Sequence, residues 1–145
     1  MPSGTFEMAS RMLPSVLPMT SSTNSNINKL RFDGMDYAPT ASFELLLKAY
    51  QAAKQRGVNV YVGGMYSSDT FYDDDPDWWK LWAAYGALVA EMETSALYTL
   101  AAKYKVQALS ILTVSDNVVT GAEATAEQRE RHFPHMAEIA LEIAE

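Results

Sequence analysis

In "ALVAEMETSALYTLAAKY", residues 87 to 104, two glutamates, Glu91 and Glu93, interrupt a run that otherwise has the composition of buried chain. A carboxylate taken out of water without a partner is costly, and two close together more so. Residues two apart point to opposite sides of a helix but share one face of an extended segment. If "VAEME" is a strand end, both carboxylates can reach one ligand. A helix starting at Thr94 would set backbone N–H groups beside them. The plainer role is that of solvated acids at a helix N-terminus. Asp116 is the second candidate. It follows the apolar stretch "ALSILTV", and open α/β sheets bind ligands beyond the carboxyl ends of their strands. Partial burial there would raise its pKa and suit it to general-acid work. Capping of the next turn is its plainer role.

Other stretches carry less. "YVGGMYSSDTFY" offers glycines, hydroxyls and aromatics after a strand, but not the spacing of a dinucleotide or P-loop motif. "DDDPD" lacks a calcium-loop pattern and reads as surface acids plus a helix cap. His132 and His135 are three apart without a third ligand nearby, so no metal site is expected. Trp78, Trp79 and Trp82 read as core or subunit-contact residues rather than a cofactor platform.

The elements that must position these residues alternate. Val16 to Met19 has strand character, with Pro18 pushing it toward a sheet edge or an irregular end, and the polar stretch Thr20 to Asn28 reads as loop. A loop with an Asp33-Gly34 turn follows. Phe43, Leu46, Leu47, Tyr50 and Ala53 define a helix capped by Thr40 or Ser42 and stopped at Gly57. "VNVYVGG" is a strand that breaks at Gly63-Gly64. Asp75 and Pro76 begin a short helix that stops at Gly86. The helix from Thr94 carries Ala96, Leu97, Leu100, Ala101 and Tyr104 on one face. Residues 106 to 114 have the continuous apolar character of a central strand buried on both sides. Thr125 and Gln128 stand at capping-box spacing before a last helix. Its stripe is Phe133, Met136, Ala137, Ala140, Ile143 and Ala144, and Pro134 should end or kink its first piece. Strands alternating with amphipathic helices, without repeat or linker, make one α/β domain over residues 1 to 145.

The totals narrow the function. With 145 residues and 48% hydrophobic content the chain can build a core, and with no cysteine it has neither disulfides nor thiolate chemistry. No apolar run approaches membrane-spanning length and no signal-peptide layout opens the chain, so a soluble, cytoplasmic protein is expected. A net charge of −7 argues against nucleic acid and for a small molecule or another protein chain.

Five stretches together resemble the C-terminal portion of the bacterial hexameric purine nucleoside phosphorylases. They are "VLPMTSSTNSNINKLRF", "VGGMYSSDTFY", "YGALVAEMETSALY", "LTVSDNVVTGAEATAEQR" and the tail "MAEIALE". They occur in the family's order, and "EMExxxLY" followed by "TVSD" is the specific combination. The resemblance implies a three-layer α/β fold with a twisted mixed sheet, truncated on its N-terminal side. It implies phosphorolysis of purine (deoxy)ribonucleosides, with phosphate as co-substrate and no resident cofactor or metal.

By that resemblance Glu93 and the Met92 region bind the ribose hydroxyls, with Glu91 beside them. A carboxylate can accept from both the 2′ and 3′ hydroxyls. Phe71 packs on the purine and Ala90 is a small wall under the base. Asp116 protonates N7 as the glycosidic bond breaks, which makes the purine a better leaving group. Arg129 matches the arginine that swings toward that aspartate. Pairing it early would depress the acid's pKa, so it is better brought close on closure.

Two departures stand out. Asn117 occupies a position where the family commonly has histidine. The family's glycine-rich first loop and phosphate-binding arginines precede the matched stretch, and here only Ser3 and Gly4 faintly resemble its second phosphate-contacting loop. The nucleoside half of the site is therefore legible and the phosphate half is not. The alternative is a non-catalytic nucleoside-binding or subunit-interaction module. Uncovered sheet edges and apolar faces lead us to expect a homo-oligomer or a complementing chain.

Overall fold

The computed structural model describes residues 14–144, apart from the side chains at 132 and 133. Ser3 and Gly4 thus lie outside the described residues, as do the side chains of His132 and Phe133. The strands are β1 Ser15–Thr23, β2 Val60–Ser67, β3 Ala90–Glu91, β4 Leu112–Thr113, β5 Asp116–Asn117 and β6 Ala122–Glu123. The helices are α1 Ile27–Arg31, α2 Phe43–Gln55, α3 Trp78–Ala84, α4 Thr94–Tyr104 and α5 Ala126–Ile143. A mixed sheet takes the order β3-β2-β1-β4, with β1, β2 and β3 parallel and β4 antiparallel to β1; β5 and β6 form a separate antiparallel pair. The class is the α/β one that the sequence predicts.

The first strand corrects two expectations. It is central rather than an edge, and it continues to Thr23 through residues that read as loop. Pro18 has no N–H to give, and it sits where the register with β2 shifts, beyond the two residues that β4 pairs. Within this polar end Ser21 is buried, because its hydroxyl finds a partner. Ser21 Oγ lies 2.8 Å from Ser67 Oγ on the neighbouring strand. The second strand runs through Gly63-Gly64 instead of breaking there. A Cβ at Gly63 would lie 2.7 Å from Leu88 Cδ1, so the glycine allows the β3 approach to pass close to β2.

One core cluster joins the sheet to two helices. Leu17 and Val60 meet Ala49, Ala52 and Ala53 of α2 and Ile139 and Ile143 of α5. The three alanines let α5 come close to α2. Ser42 takes the N-cap position of α2, as expected, without a side-chain cap bond, and Phe43, Leu47 and Tyr50 of the expected stripe remain exposed. Helix α5 begins with the full Thr125–Gln128 capping box and continues past Pro134 to Ile143, so the proline does not end it. Ile139, absent from the expected stripe, is its most buried described side chain, while Ala137 and Ala140 face solvent. Helix α3 starts after Asp77, two residues later than expected, because Asp75 caps the preceding turn by accepting from the Asp77 N–H.

Residues 106 to 114 do not form a central strand. Only Leu112 and Thr113 pair, at the edge of the sheet. The stretch before them joins no strand and bonds instead to its surroundings, with the Ser42 N–H donating to Ala108 O and the Ser110 N–H to Tyr98 Oη. Leu109 and Ile111 pack on the core cluster, so one face of the segment is covered, and apolar run length alone does not reveal the second face.

Helix α4 is turned differently from its apolar pattern. Thr94, Ser95, Tyr98, Thr99 and Ala101 are buried, whereas Leu97, Leu100 and Tyr104 are exposed. The buried polar face is bonded except at Ser95 Oγ, which finds no partner among the described residues. Tyr98 Oη donates to Pro18 O at 2.7 Å and accepts from the Ser110 N–H at 3.1 Å, and Asn28 Nδ2 donates to Thr99 Oγ1 at 3.1 Å. Tyr98→Phe leaves a buried carbonyl and N–H without that partner and should cost about 2 kcal/mol, read as a lower urea midpoint at unchanged slope. Burial pushes the Tyr98 hydroxyl above its ordinary 10.0, helped by the nearby Glu91 charge and opposed by the Ser110 bonds. The folded chain therefore holds this proton after the unfolded chain has lost it. Stability should be full below about pH 10 and fall as pH rises past it, less steeply in Tyr98→Phe.

Candidate functional site

The end of β2 sets the site. Ala90 and Glu91 of β3 pair in parallel with Tyr66 and Ser67, and α4 starts three residues later. Glu91 is half-buried and fully engaged. Its Oε1 accepts from Ser67 Oγ at 2.5 Å, and its Oε2 accepts from the Glu93 N–H at 2.9 Å, the Thr94 N–H at 2.8 Å and Thr94 Oγ1 at 2.8 Å. Capping of a helix N-terminus by a carboxylate is favoured by the orphan N–H groups and the dipole there. Glu93, the N-cap residue of α4, is exposed and makes no side-chain cap bond. Only Glu91 belongs to the strand, so the extended run expected over both glutamates ends between them.

Phe71 and Tyr72 stand exposed in the loop after β2, ring edge to ring face with centroids 4.9 Å apart. Behind them Tyr66 is buried and stacks on Trp82 at 4.0 Å, with Trp78 at 5.8 Å. Both tryptophans thus anchor α3 to the sheet.

Asp116 lies elsewhere than its sequence position implies. Because β4 is antiparallel, its C-terminal end comes beside Ser15 at the start of β1, not beyond the carboxyl ends of the parallel strands. Asp116 belongs to the β5–β6 pair, opposite Glu123, and is exposed, so the expected desolvation is absent. Its Oδ2 accepts from Ser115 Oγ at 2.6 Å. Arg129 sits in the first turns of α5 with its Nε donating to Ala124 O at 3.0 Å, and it makes no ion pair with a described residue.

All seven residues singled out from the sequence, Phe71, Ala90, Glu91, Met92, Glu93, Asp116 and Arg129, line one open cleft of about 810 Å³. That is within the range of small-molecule sites. The cleft runs along the sheet between two poles. Phe71 and residues 90–93 stand at the carboxyl end of β2; Asp116, Glu123 and Arg129 stand beside the start of β1. The strand levels of Glu91 and Thr113 differ by the length of β2, seven steps or on the order of 23 Å. Sequence reasoning missed Glu123 and Trp78, which also line the cleft. The turn ending at Gly121, φ 69°, was the available signal that Glu123 folds back beside Asp116. Among the described lining residues four carboxylates face one cation, Arg129. No described group of acids and histidines is arranged to hold a metal ion, and no described helix is long and apolar enough to cross a membrane.

An open, partly parallel sheet with a carboxylate-rich cleft reaching its strand ends defines an α/β protein with a cleft of small-molecule size. Comparison makes this specific: residues 8–145 match the profile of the Phosphorylase superfamily, and the chain belongs to that family. It is 63% identical over 130 residues to the DeoD-type purine nucleoside phosphorylase of Thermoanaerobacter pseudethanolicus, 90% of this chain and 56% of that protein. The protein of that name from Caldanaerobacter subterraneus subsp. tengcongensis is 60% identical over 129 residues, 89% of this chain and 56% of its own. The one from Alkaliphilus metalliredigens is 57% identical over 130 residues, 90% and 56%. The chain thus spans a little over half the length of these curated relatives.

Proposed function

We propose that the cleft binds a purine nucleoside and that the chain serves phosphorolytic cleavage of its glycosidic bond. The observation that carries this is the convergence of seven residues from four separate segments on one cleft. Glu93 takes the ribose hydroxyls, because its carboxylate is exposed in the cleft and has no cap bond to give up. Met92 packs on the sugar, Phe71 covers the purine face, and Ala90 leaves room beneath it. For Asp116 to give its proton to N7 of a nucleoside held at Glu93, the β5–β6 end of the cleft has to close on the other by much of the separation of their strand levels, with Arg129 as the group that approaches the acid. Phosphate is the co-substrate, and the reaction needs no resident cofactor or metal. Its dianion requires cationic or N–H partners, and the described lining supplies one guanidinium, so further chain must complete that half. The exposed Leu97, Leu100 and Tyr104 of α4 support a second copy or a complementing chain as the provider. Light scattering that finds only monomer at high micromolar concentration contradicts this.

A second reading, nucleoside binding without cleavage, is favoured by one observation. Asp116 and Arg129 stand at the pole of the cleft away from Glu93, and Arg129 is held by a backbone carbonyl. Incubation with inosine, with and without phosphate, separates the readings. Phosphate-dependent release of hypoxanthine supports the first, and binding without release supports the second.

A further inference from the structure

We propose that Glu91 is a positioning residue rather than a sugar ligand: its carboxylate, held from behind by Ser67, fixes the turn that presents Met92 and Glu93 to the cleft. The inference rests on the nucleoside reading for what Glu93 binds, and on hydrogen bonds for what Glu91 does. A carboxylate has about four acceptor sites, and Glu91 receives four hydrogen bonds from its own chain. A ribose hydroxyl would have to displace one of them.

The direction of the hydroxyl protons shows how the device is built. Ser67 Oγ–H donates to Glu91, so Ser67 Oγ accepts from the Ser95 N–H at 3.0 Å and from the Ser21 hydroxyl at 2.8 Å. Thr94 Oγ–H also donates to Glu91, so the Ser110 hydroxyl must donate to Thr94 at 2.8 Å. Ser110 is bonded in turn to Tyr98, and Tyr98 to Pro18. Strands β1 and β2, helix α4 and the segment before β4 are thereby tied to one side chain. A buried network with its members bonded holds a single geometry. Ser67 is buried and does not line the cleft, so any effect it has on a ligand is indirect, by way of Glu91 or of the Ser95 N–H in the first turn of α4.

Inosine titration by calorimetry, with amide hydrogen exchange at Glu93 and Thr94, tests this in Glu91→Ala, Glu91→Gln and Ser67→Ala. Glu91→Ala should weaken inosine binding roughly tenfold and speed exchange at both amides, since two N–H groups and two hydroxyls lose their acceptor. The amide oxygen of Glu91→Gln still accepts the two N–H groups, and this variant should recover most of the loss. Ser67→Ala should fall between. A Glu91→Gln as weak as Glu91→Ala, beside a Ser67→Ala like wild type, would make Glu91 a charged sugar ligand and overturn the proposal. A Glu91→Ala with lower thermal midpoint but unchanged affinity overturns it too. If Glu91→Ala does not fold, Ser67→Ala decides, and wild-type affinity and exchange there overturn the proposal. If wild type binds no inosine, the nucleoside reading fails, and exchange alone judges Glu91: unchanged rates in Glu91→Ala overturn its role, faster rates support it.

Discussion

On the proposed phosphorolytic reading, and in an assembly that cleaves inosine, Asp116→Asn is expected to abolish phosphorolysis and to leave inosine affinity near that of the unsubstituted chain. The amide has no proton to give to N7, and a positioned general acid contributes about 10²–10⁴-fold to rate. Affinity should hold because an acid at N7 acts as the bond breaks, and asparagine keeps the size of Asp116 and its hydrogen bond from Ser115. Serine can donate equally well to the amide oxygen, so the β5–β6 pair should keep its shape. Turnover and affinity measured on the same preparation check this. Turnover retained at the unsubstituted rate removes Asp116 from the chemistry, and affinity lost with turnover makes it a ligand instead.

Glu93→Ala is expected to weaken inosine binding by about 1.5–3 kcal/mol, the range for hydrogen bonds to a charged group. That corresponds to a loss of roughly ten- to 150-fold in affinity. Stability should barely change, since Glu93 is exposed and caps nothing with its side chain. The loss should also depend on the sugar. With 2′,3′-dideoxyinosine, which has no hydroxyls for the carboxylate to accept, wild type and variant should bind alike. A loss of equal size with both ligands would mean that Glu93 acts on the base or on the shape of the cleft.

What could be read from the sequence was local. Ser42 before α2, the Thr125–Gln128 box before α5, Gly86 after α3 and the start of α4 at Thr94 are set by residues within a few positions of each other. Where partners are far apart, pattern misled. Nothing near Ser21 announces that Ser67, 46 residues on, will satisfy its hydroxyl, so a strand end with one buried serine looked like a polar loop. Helix α4 shows the same cause. Its leucines mark one face, but Tyr98 and Thr99 are buried because Pro18 and Asn28 wait for their hydroxyls. The seven candidate residues were picked out by type, and all of them line one cleft. Their division of labour was not. Glu91 and Glu93 look alike in sequence, and only the four bonds to Glu91 separate the engaged carboxylate from the open one. The place of Asp116 depended on the direction of β4, which an apolar run does not encode.

The central claim, that this cleft holds a purine nucleoside, is tested most directly by calorimetric titration of the chain with inosine and adenosine up to millimolar concentration. Saturable binding of at least one of them, weakened by Glu93→Ala and insensitive to Asp116→Asn, is the predicted result. No detectable heat of binding with either nucleoside at millimolar concentration would contradict the account, and would leave Glu93 an exposed acid beside a helix that Glu91 caps.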